Sequence, residues 1–121
     1  MPAMATDPAD CLFCKIAAGD IPAVIVHDDE LVLAFRDIAP KAPTHILVIP
    51  REHIASSAEL TDEHGRMLGR LFAVGAQLAR DAGVAQSGFR LVTNSGPGAG
   101  QSVDHLHFHL LGGRQMSWPP G

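Results

Sequence analysis

The sequence predicts an α+β domain built on an antiparallel sheet of about five strands, with one long and one short helix. Two β-rich runs flank the turn-like residues Asp28-Asp29-Glu30, a pattern that is typical of a hairpin. Only one segment has the length and periodicity of a long helix. A parallel sheet would need a crossover helix between each pair of strands, so an antiparallel sheet is favoured.

The chain is expected to divide into a short lead-in and one domain. Its 121 residues are the length of an ordinary single domain. Residues 1–10, rich in Pro, Ala and Asp, are expected to form a flexible lead-in, and residues 11–121 to form the domain. Within that domain, residues 112–121 are expected to form an irregular tail.

The first half of the chain predicts the short helix and three strands. Asp10 is expected to cap a helix over Cys11–Ala18. Ala23–His27 and Leu31–Asp37 are expected to be the two strands of the hairpin. His45–Pro50 is a continuous apolar run of strand length, which is consistent with a buried strand.

The second half predicts the long helix and two further strands. Thr61–Ala82 carries an apolar stripe at a spacing of three to four residues, and Thr61 is a suitable N-cap. Phe89–Thr93 and Asp104–Leu111 are expected to be strands, separated by the glycine-rich turn Asn94–Gly100.

Composition and charge exclude several classes of protein. Apolar residues make up 46% of the chain and charged residues 18%, which excludes an intrinsically disordered chain. The net charge of −4 disfavours nucleic acid as a partner, because that affinity rests on neutralising phosphates. No apolar run approaches the roughly 20 residues of a membrane helix. Met1–Asp10 lacks the apolar run of a secretion signal, so a cytoplasmic location is expected, without membrane partners.

The most informative stretch carries three histidines in five residues, namely His105, His107 and His109. In a strand, side chains alternate between the two faces, so these histidines share one face and the apolar residues between them face the core. A solvated strand face usually carries Thr, Lys, Glu or Arg. The pattern therefore indicates a functional face rather than a solvated one.

Two functions suit such a histidine strand. Histidines at i and i+2 can chelate one metal ion. Alternatively, a neutral imidazole is a good nucleophile near pH 7 and can form a covalent intermediate at phosphorus. The glycine-rich residues Asn94–Ser102 lie directly upstream, where backbone amides and polar side chains can approach a ligand closely. This combination favours a phosphate pocket with a nucleophile beside it.

The HxHxH pattern followed by two apolar residues resembles the signature of the histidine-triad (HIT) superfamily. The similarity extends over nearly all of the chain from Cys11 to Gly121 and looks most like the Hint branch, the nucleoside phosphoramidases. The segments that carry it are FCKIAAGDIP (13–22), LAFRDIAPKAPTHILVIPREHI (33–54), GAGQSVDHLHFHLLGGRQM (98–116) and WPPG (118–121).

The resemblance implies a catalytic role for five residues. His107 matches the nucleophile that attacks the α-phosphorus of a purine nucleotide and becomes transiently adenylylated. His109 matches the residue that contacts the α-phosphate, and His105 and His45 match histidines that support the pocket. Ser102 matches a hydroxyl near the leaving group. A backbone carbonyl is implied to fix the tautomer of the nucleophile.

The resemblance also implies a nucleotide-binding set. Asp37 matches the carboxylate that accepts the ribose hydroxyls, and Ile38 lines the base site. Asn94, Gly100 and Gln101 match residues on the phosphate side.

A homodimer is implied as well, with the sheet extended across it and Trp118 contributing to the nucleotide pocket of the other subunit. Small residues on the long helix, including Gly65, Gly69 and Gly75, offer a face for close approach of a partner helix.

The cysteine pair Cys11 and Cys14 has three interpretations: a zinc site, a redox motif, or cysteines without a role. A zinc site needs four ligands. Related proteins with this CxxC motif imply that His53 and His105 would be the other two. No cofactor is expected to be required for catalysis, and zinc would be structural.

The sequence therefore predicts a cytoplasmic, dimeric purine nucleoside phosphoramidase that acts on AMP-type or GMP-type nucleotides. Three alternatives remain open. The protein could hydrolyse dinucleoside polyphosphates or adenylyl adducts, bind nucleotides as an interaction protein with incidental catalysis, or store or sense metal through the histidine strand.

Overall fold

The protein, a computed structural model that describes residues 7–121, has one five-stranded antiparallel sheet in the order β1-β2-β3-β5-β4. One short and one long helix accompany it, which confirms the predicted α+β architecture. The elements are α1 (Leu12–Ala17), β1 (Ile25–Asp28), β2 (Val32–Arg36), β3 (Thr44–Pro50), α2 (Gly65–Asp81), β4 (Phe89–Val92) and β5 (Phe108–Gly112).

The central strand β3 is buried along its whole length because both faces of the sheet are covered. On one face, Ile46 and Val48 pack in the core that α2 covers. On the other, Leu47 and Ile49 pack with Cys11 and Phe13 at α1. The unbroken apolar run of this strand follows from its position, since neither face meets water.

The long helix follows its predicted span with a tighter first turn. Asp62–His64 is a 3-10 turn whose N-cap is Thr61, and the α-helix continues from Gly65. Gly75 does not belong to a free small-residue face, because a Cβ there would lie 3.2 Å from Leu91 Cδ1. Gly75 therefore permits close packing of α2 on the sheet, and the homodimer stays a prediction.

The short helix begins one residue later than predicted, and its cap differs. Cys11, not Asp10, is the N-cap, and its Sγ accepts a hydrogen bond from the Cys14 amide at 3.4 Å. Asp10 ends a 3-10 turn over Pro8–Asp10 instead. Residues 1–6 of the expected lead-in lie outside the described residues.

The last strand is shorter than predicted, because β5 begins at Phe108 rather than at Asp104. Val48 pairs with Phe108, so Pro50 would stand opposite Leu106 if the ladder continued. Proline has no N–H to donate, and the ladder ends before that point. His105 and His107 consequently precede the strand. Within residues 7–121, neither helix combines the length and apolarity that a membrane crossing requires.

Candidate active site and metal site

The three clustered histidines lie on the α1 side of the sheet. His109 lies in β5 opposite Leu47 of β3, and the other two occupy the segment before β5. His105 is fully buried and His107 is 3% exposed. The apolar residues of the same stretch, Leu106, Phe108 and Leu110, pack on the α2 side. The expected division of faces therefore persists beyond the end of the strand.

A backbone carbonyl orients the His107 ring. Its Nδ1–H donates to the His105 carbonyl oxygen at 2.7 Å, which leaves Nε2 as the nitrogen with a lone pair. Thr93 Oγ1 donates to the His107 carbonyl at 2.8 Å, and Phe13 packs edge-on against the ring with centroids 5.1 Å apart. Burial lowers the pKa of His107, so the ring is neutral near pH 7. A neutral imidazole with a defined free nitrogen is a nucleophile.

A chain of hydrogen bonds fixes the tautomer of His109. The Lys41 amide donates to His45 Nδ1 at 3.0 Å, so neutral His45 carries its proton on Nε2. That Nε2–H donates to His109 Nδ1 at 2.9 Å, which puts the proton of neutral His109 on Nε2. Burial lowers the pKa of His45, and burial together with His107 and His45 lowers the pKa of His109 to about 4. His109 is therefore a neutral N–H donor near pH 7.

A cleft of about 360 Å³ opens beside these rings. This volume is within the range of small-molecule sites. Its polar lining residues are Arg36, Asp37, Ser102, His107 and His109, and the other lining residues are apolar. The apolar lining comes from Leu12, Ile16, Ile21, Phe35, Ile38 and Leu47. A second cleft shares Asp37 and His109 with the first and adds Asn94, Lys41 and His45.

The glycine-rich segment forms a loop that the side chain of Gln101 holds in shape. Gly96 and Gly100 adopt φ of 86° and 84°, a region that favours glycine. Gln101 Oε1 accepts from the Gly96 amide at 2.8 Å, and its Nε2 donates to Ala55 and Val103 carbonyls. The Gln101 amide group is thus engaged within the protein, and phosphate contacts from Gly100 and Gln101 stay predictions.

Two apolar side chains of the expected nucleotide set are exposed. Ile38 is fully exposed at the edge of the cleft, and Trp118 is 83% exposed. Trp118 is not among the residues that line either cleft of this chain. Its expected role in a partner's pocket stays a prediction.

A second cluster brings together the two cysteines with His53 and His105, whose donor atoms all lie within 4.8 Å of one another. His105 Nδ1 is 3.4 Å from Cys11 Sγ and 3.5 Å from Cys14 Sγ, and His53 Nδ1 is 3.3 Å from Cys14 Sγ. Tetrahedral zinc with its usual bond lengths separates a sulfur and a nitrogen ligand by about 3.6 Å. The four donors therefore fit a structural zinc ion.

The surroundings of the cluster support the same conclusion. His105 Nε2–H donates to the Pro50 carbonyl at 2.8 Å, which leaves Nδ1 free to face the thiols, as the ring of a metal-bound histidine requires. Burial, with a smaller effect of Cys11, raises the pKa of Cys14 to about 11. Zinc coordination deprotonates a thiol and would offset this effect.

Asp37, His45 and His109 also converge, but they do not suit a cation. A metal on His45 Nε2 would require the proton of neutral His45 to lie on Nδ1. The Lys41 N–H already donates to that nitrogen, so two hydrogens would face each other. The two histidines instead form a hydrogen-bonded relay that begins at the Lys41 amide, and Asp37 Oδ2 lies 3.4 Å from His45 Nε2.

Sequence reasoning missed three contributors to the site: Phe13, Thr93 and the Lys41 amide. Phe13 lies between the two cysteines and could have been suspected from that position alone. Thr93 and the Lys41 amide act through contacts that are distant in sequence, and no local pattern marks them.

Comparison with known proteins places the chain among histidine-triad proteins. The profile of the HIT domain matches residues 18–116. A 14 kDa zinc-binding protein of Zea mays is 48% identical over 117 residues, covering 95% of this chain and 91% of the relative. The adenylylsulfatase HINT1 of Arabidopsis thaliana is 46% identical over 123 residues, covering 98% of this chain and 83% of the relative.

The structural comparison agrees. The crystal structure of a HIT family hydrolase from Legionella pneumophila superposes with a TM-score of 0.91 at 52% identity, covering 93% of this chain and all of that one. Because the family profile spans most of the chain and relatives near half identity span almost all of it, the protein belongs to the HIT family.

Proposed function

We propose that this protein is a purine nucleoside phosphoramidase, which hydrolyses the P–N bond between a nucleoside 5'-monophosphate and an amine. The observation that carries the proposal is the fixed tautomer of His107. Its Nδ1–H is held by the His105 carbonyl, so the Nε2 lone pair is available in a cleft of nucleotide size.

The reaction proceeds in two displacements at phosphorus. His107 Nε2 forms a bond to the α-phosphorus as the P–N bond breaks, and the amine leaves with a proton that the Ser102 hydroxyl relays from solvent water. Water then attacks the nucleotidyl-histidine, which releases the nucleoside monophosphate and restores His107. The attack of water in the second displacement returns one proton to the solvent. The N–H of neutral His109 donates to a non-bridging oxygen, where negative charge grows during attack.

The rest of the cleft suits a purine nucleotide. The carboxylate of Asp37 can accept hydrogen bonds from both ribose hydroxyls, and the apolar lining around Ile38 suits the base. Asn94 lines the cleft that shares Asp37 and His109 with this one, and the loop at Gly100 and Gln101 is expected to contact the phosphate. In a homodimer, the exposed Trp118 would cover the pocket of the partner.

We further infer that Cys11, Cys14, His53 and His105 bind a structural zinc ion. The donor distances support this, and the Zea mays relative is named a zinc-binding protein. A cytoplasmic location accords with free cysteines, since thiols persist in reducing compartments.

A second candidate function is hydrolysis of an adenylyl adduct without a P–N bond. The Arabidopsis relative is named an adenylylsulfatase, and that name favours adenylyl sulfate as the competing substrate. The same His107 intermediate would serve both reactions, which differ only in the leaving group.

The test compares wild type, His107→Ala and the control His64→Gln, which alters a histidine outside the cleft. Release of amine from an adenosine phosphoramidate and release of sulfate from adenylyl sulfate are measured in parallel. Mass spectrometry of quenched protein detects the nucleotidyl adduct. We expect His107→Ala to lose at least about a thousandfold in turnover and to lose the adduct, while AMP binding persists. Near-normal turnover in this variant would refute the mechanism, and AMP binding by a wild type without turnover would indicate a binding protein.

A further inference from the structure

His105 joins the cluster of cysteine and histidine ligands to the nucleophile His107. The ring of His105 faces the two thiols through Nδ1 and donates to the Pro50 carbonyl through Nε2. Its main-chain carbonyl accepts the Nδ1–H of His107 at 2.7 Å. The direction of that carbonyl determines which nitrogen of His107 is free. Any group that anchors the His105 ring therefore acts on the nucleophile through a single residue.

The sheet does not hold this part of the chain. The ladder between β3 and β5 ends at Val48 and Phe108, and Pro50 cannot extend it. Before β5, the main-chain contacts are a hydrogen bond from the Leu106 amide to the Ile54 carbonyl and one from Thr93 to the His107 carbonyl. The Leu106 amide and the His105 carbonyl belong to one planar peptide group, so the first of these hydrogen bonds helps to direct the carbonyl. The anchoring of the His105 ring is the second constraint on its direction.

The CxxC segment also touches the nucleophile directly. Phe13, which lies between Cys11 and Cys14, is buried and packs edge-on against both His105 and His107, with centroid distances of 5.9 and 5.1 Å. The segment thus contacts His107 by packing and reaches it a second time through the His105 ring.

We propose that the zinc site positions the nucleophile in addition to stabilising the fold. This proposal rests on the function proposed above. The positioning residues are then the four zinc ligands, Cys11, Cys14, His53 and His105. With zinc bound, the ring of His105 is fixed, and its main-chain carbonyl keeps His107 in the Nδ1–H tautomer. Without zinc, the ring would keep its hydrogen bond to the Pro50 carbonyl, but its Nδ1 would be held only by weak thiol–imidazole hydrogen bonds.

The expected effect is on the chemical step. Misplacing a reacting group by about 1 Å costs about a hundredfold in rate, and loss of an outer support of a site typically costs about 10–100-fold. Loss of zinc should therefore lower kcat about 10–100-fold. The affinity for AMP should stay within about twofold, because Asp37 and Asn94 are not connected to the cluster.

The experiment compares wild type with Cys14→Ser and His53→Ala, which remove different ligands outside the nucleotide cleft. Asp29→Asn is the matched control, since it weakens the fold at the β1–β2 turn without removing a metal ligand or a residue of the nucleotide cleft. For each protein, zinc content, kcat on an adenosine phosphoramidate and AMP affinity by calorimetry are measured. The tautomer of His107 is determined by nitrogen-15 NMR at about pH 8, above the ordinary histidine pKa.

We expect both ligand variants to lose zinc, to show a kcat lowered about 10–100-fold, and to lose the single His107 tautomer. Asp29→Asn should keep its zinc, its kcat and the single tautomer. Wild type treated with a chelator should lose the tautomer, and added zinc should restore it, which avoids reliance on variants that fail to fold. An unchanged His107 tautomer in zinc-free protein would overturn the proposal. So would a loss of kcat in Asp29→Asn equal to that in the ligand variants, and so would the failure of wild type to bind zinc. If wild type turns over no substrate, the proposed function fails, and the tautomer measurement still tests the positioning role.

Discussion

Replacing Asp29 with Asn should destabilise the fold, because this carboxylate joins the β1–β2 turn to α2. Oδ1 accepts hydrogen bonds from the Leu31 and Val32 amides, both at 2.8 Å. Oδ2 accepts from His27 Nε2 at 2.6 Å and from Arg70 Nε at 2.8 Å. Asparagine has nearly the same shape but has one acceptor oxygen and no charge.

The magnitude follows from what each hydrogen bond loses. The Arg70 pair is partly exposed and contributes up to about 1 kcal/mol. Hydrogen bonds to a charged acceptor are about twice as strong as neutral ones, so the two amide bonds each weaken by roughly 0.5–1 kcal/mol. The free energy of unfolding should fall by about 2 kcal/mol at pH 7.

The effect should disappear in acid, and its sign can be derived. Partial burial acts to raise the pKa of Asp29, but hydrogen bonds from His27, Leu31, Val32 and Arg70 outweigh it and hold the pKa well below its usual range. A depressed folded-state pKa contributes stability above the unfolded pKa of about 3.9. That stability is lost as the pH falls through the folded pKa. The difference between wild type and variant should thus be constant from about pH 7 to 5 and narrow below about pH 4.

Urea unfolding of wild type, Asp29→Asn and the control Glu30→Gln at several pH values provides the assay. Glu30 is an exposed neighbour of the same charge, and its substitution should change the free energy of unfolding by less than about 0.5 kcal/mol. A difference for Asp29→Asn that persists unchanged at about pH 2.5 would refute the electrostatic explanation. So would equal effects of the two substitutions.

A glycine substitution tests the packing of the fold, and a deletion tests the role of the tail. Gly112→Ala should lower the free energy of unfolding by about 1–3 kcal/mol, since its Cβ would lie 2.9 Å from Val84 Cβ. The control Gly69→Ala places its Cβ in open space and should not lower the free energy of unfolding. Equal urea midpoints of the two variants would contradict this. Deleting Ser117–Gly121, which removes the exposed Trp118 and an Arg90 contact to the Ser117 carbonyl, should keep the fold and change the ratio of kcat/KM for a bulky and a small adenosine phosphoramidate. Identical ratios would indicate that the tail has no part in specificity.

The fold could be predicted because each element carries a local pattern that agrees with its environment. The apolar run at β3 reflects burial on both faces, and the stripe on α2 reflects burial on one. The start of β5 could not be predicted in this way. This start depends on Pro50 of β3, and the local periodicity around His105 carries no information about that residue.

The candidate site was predictable as a set of residues rather than as an arrangement. The cysteine pair, His53 and His105 were brought together by the resemblance, and the structure places their donor atoms within reach of one ion. The resemblance implied that a backbone carbonyl fixes the tautomer of His107, but it did not identify the carbonyl of His105, and the tautomer of His109 was not predicted. The two tautomers depend on a carbonyl and an amide whose directions follow from the path of the backbone, and no side-chain pattern encodes them.

These tautomers explain how an acidic chain can bind an anion. Burial lowers the pKa values of His45, His107 and His109, so these three rings add no positive charge near pH 7. At these rings the phosphate would therefore meet oriented N–H groups rather than imidazolium cations, and such donors gain strength as negative charge develops on the oxygen during attack. Protonation of His109 at Nδ1 would oppose the N–H of His45 and break their 2.9 Å hydrogen bond. The relay from Lys41 thus favours the neutral donor form, and the same burial that keeps His107 uncharged keeps its Nε2 lone pair free for the phosphorus.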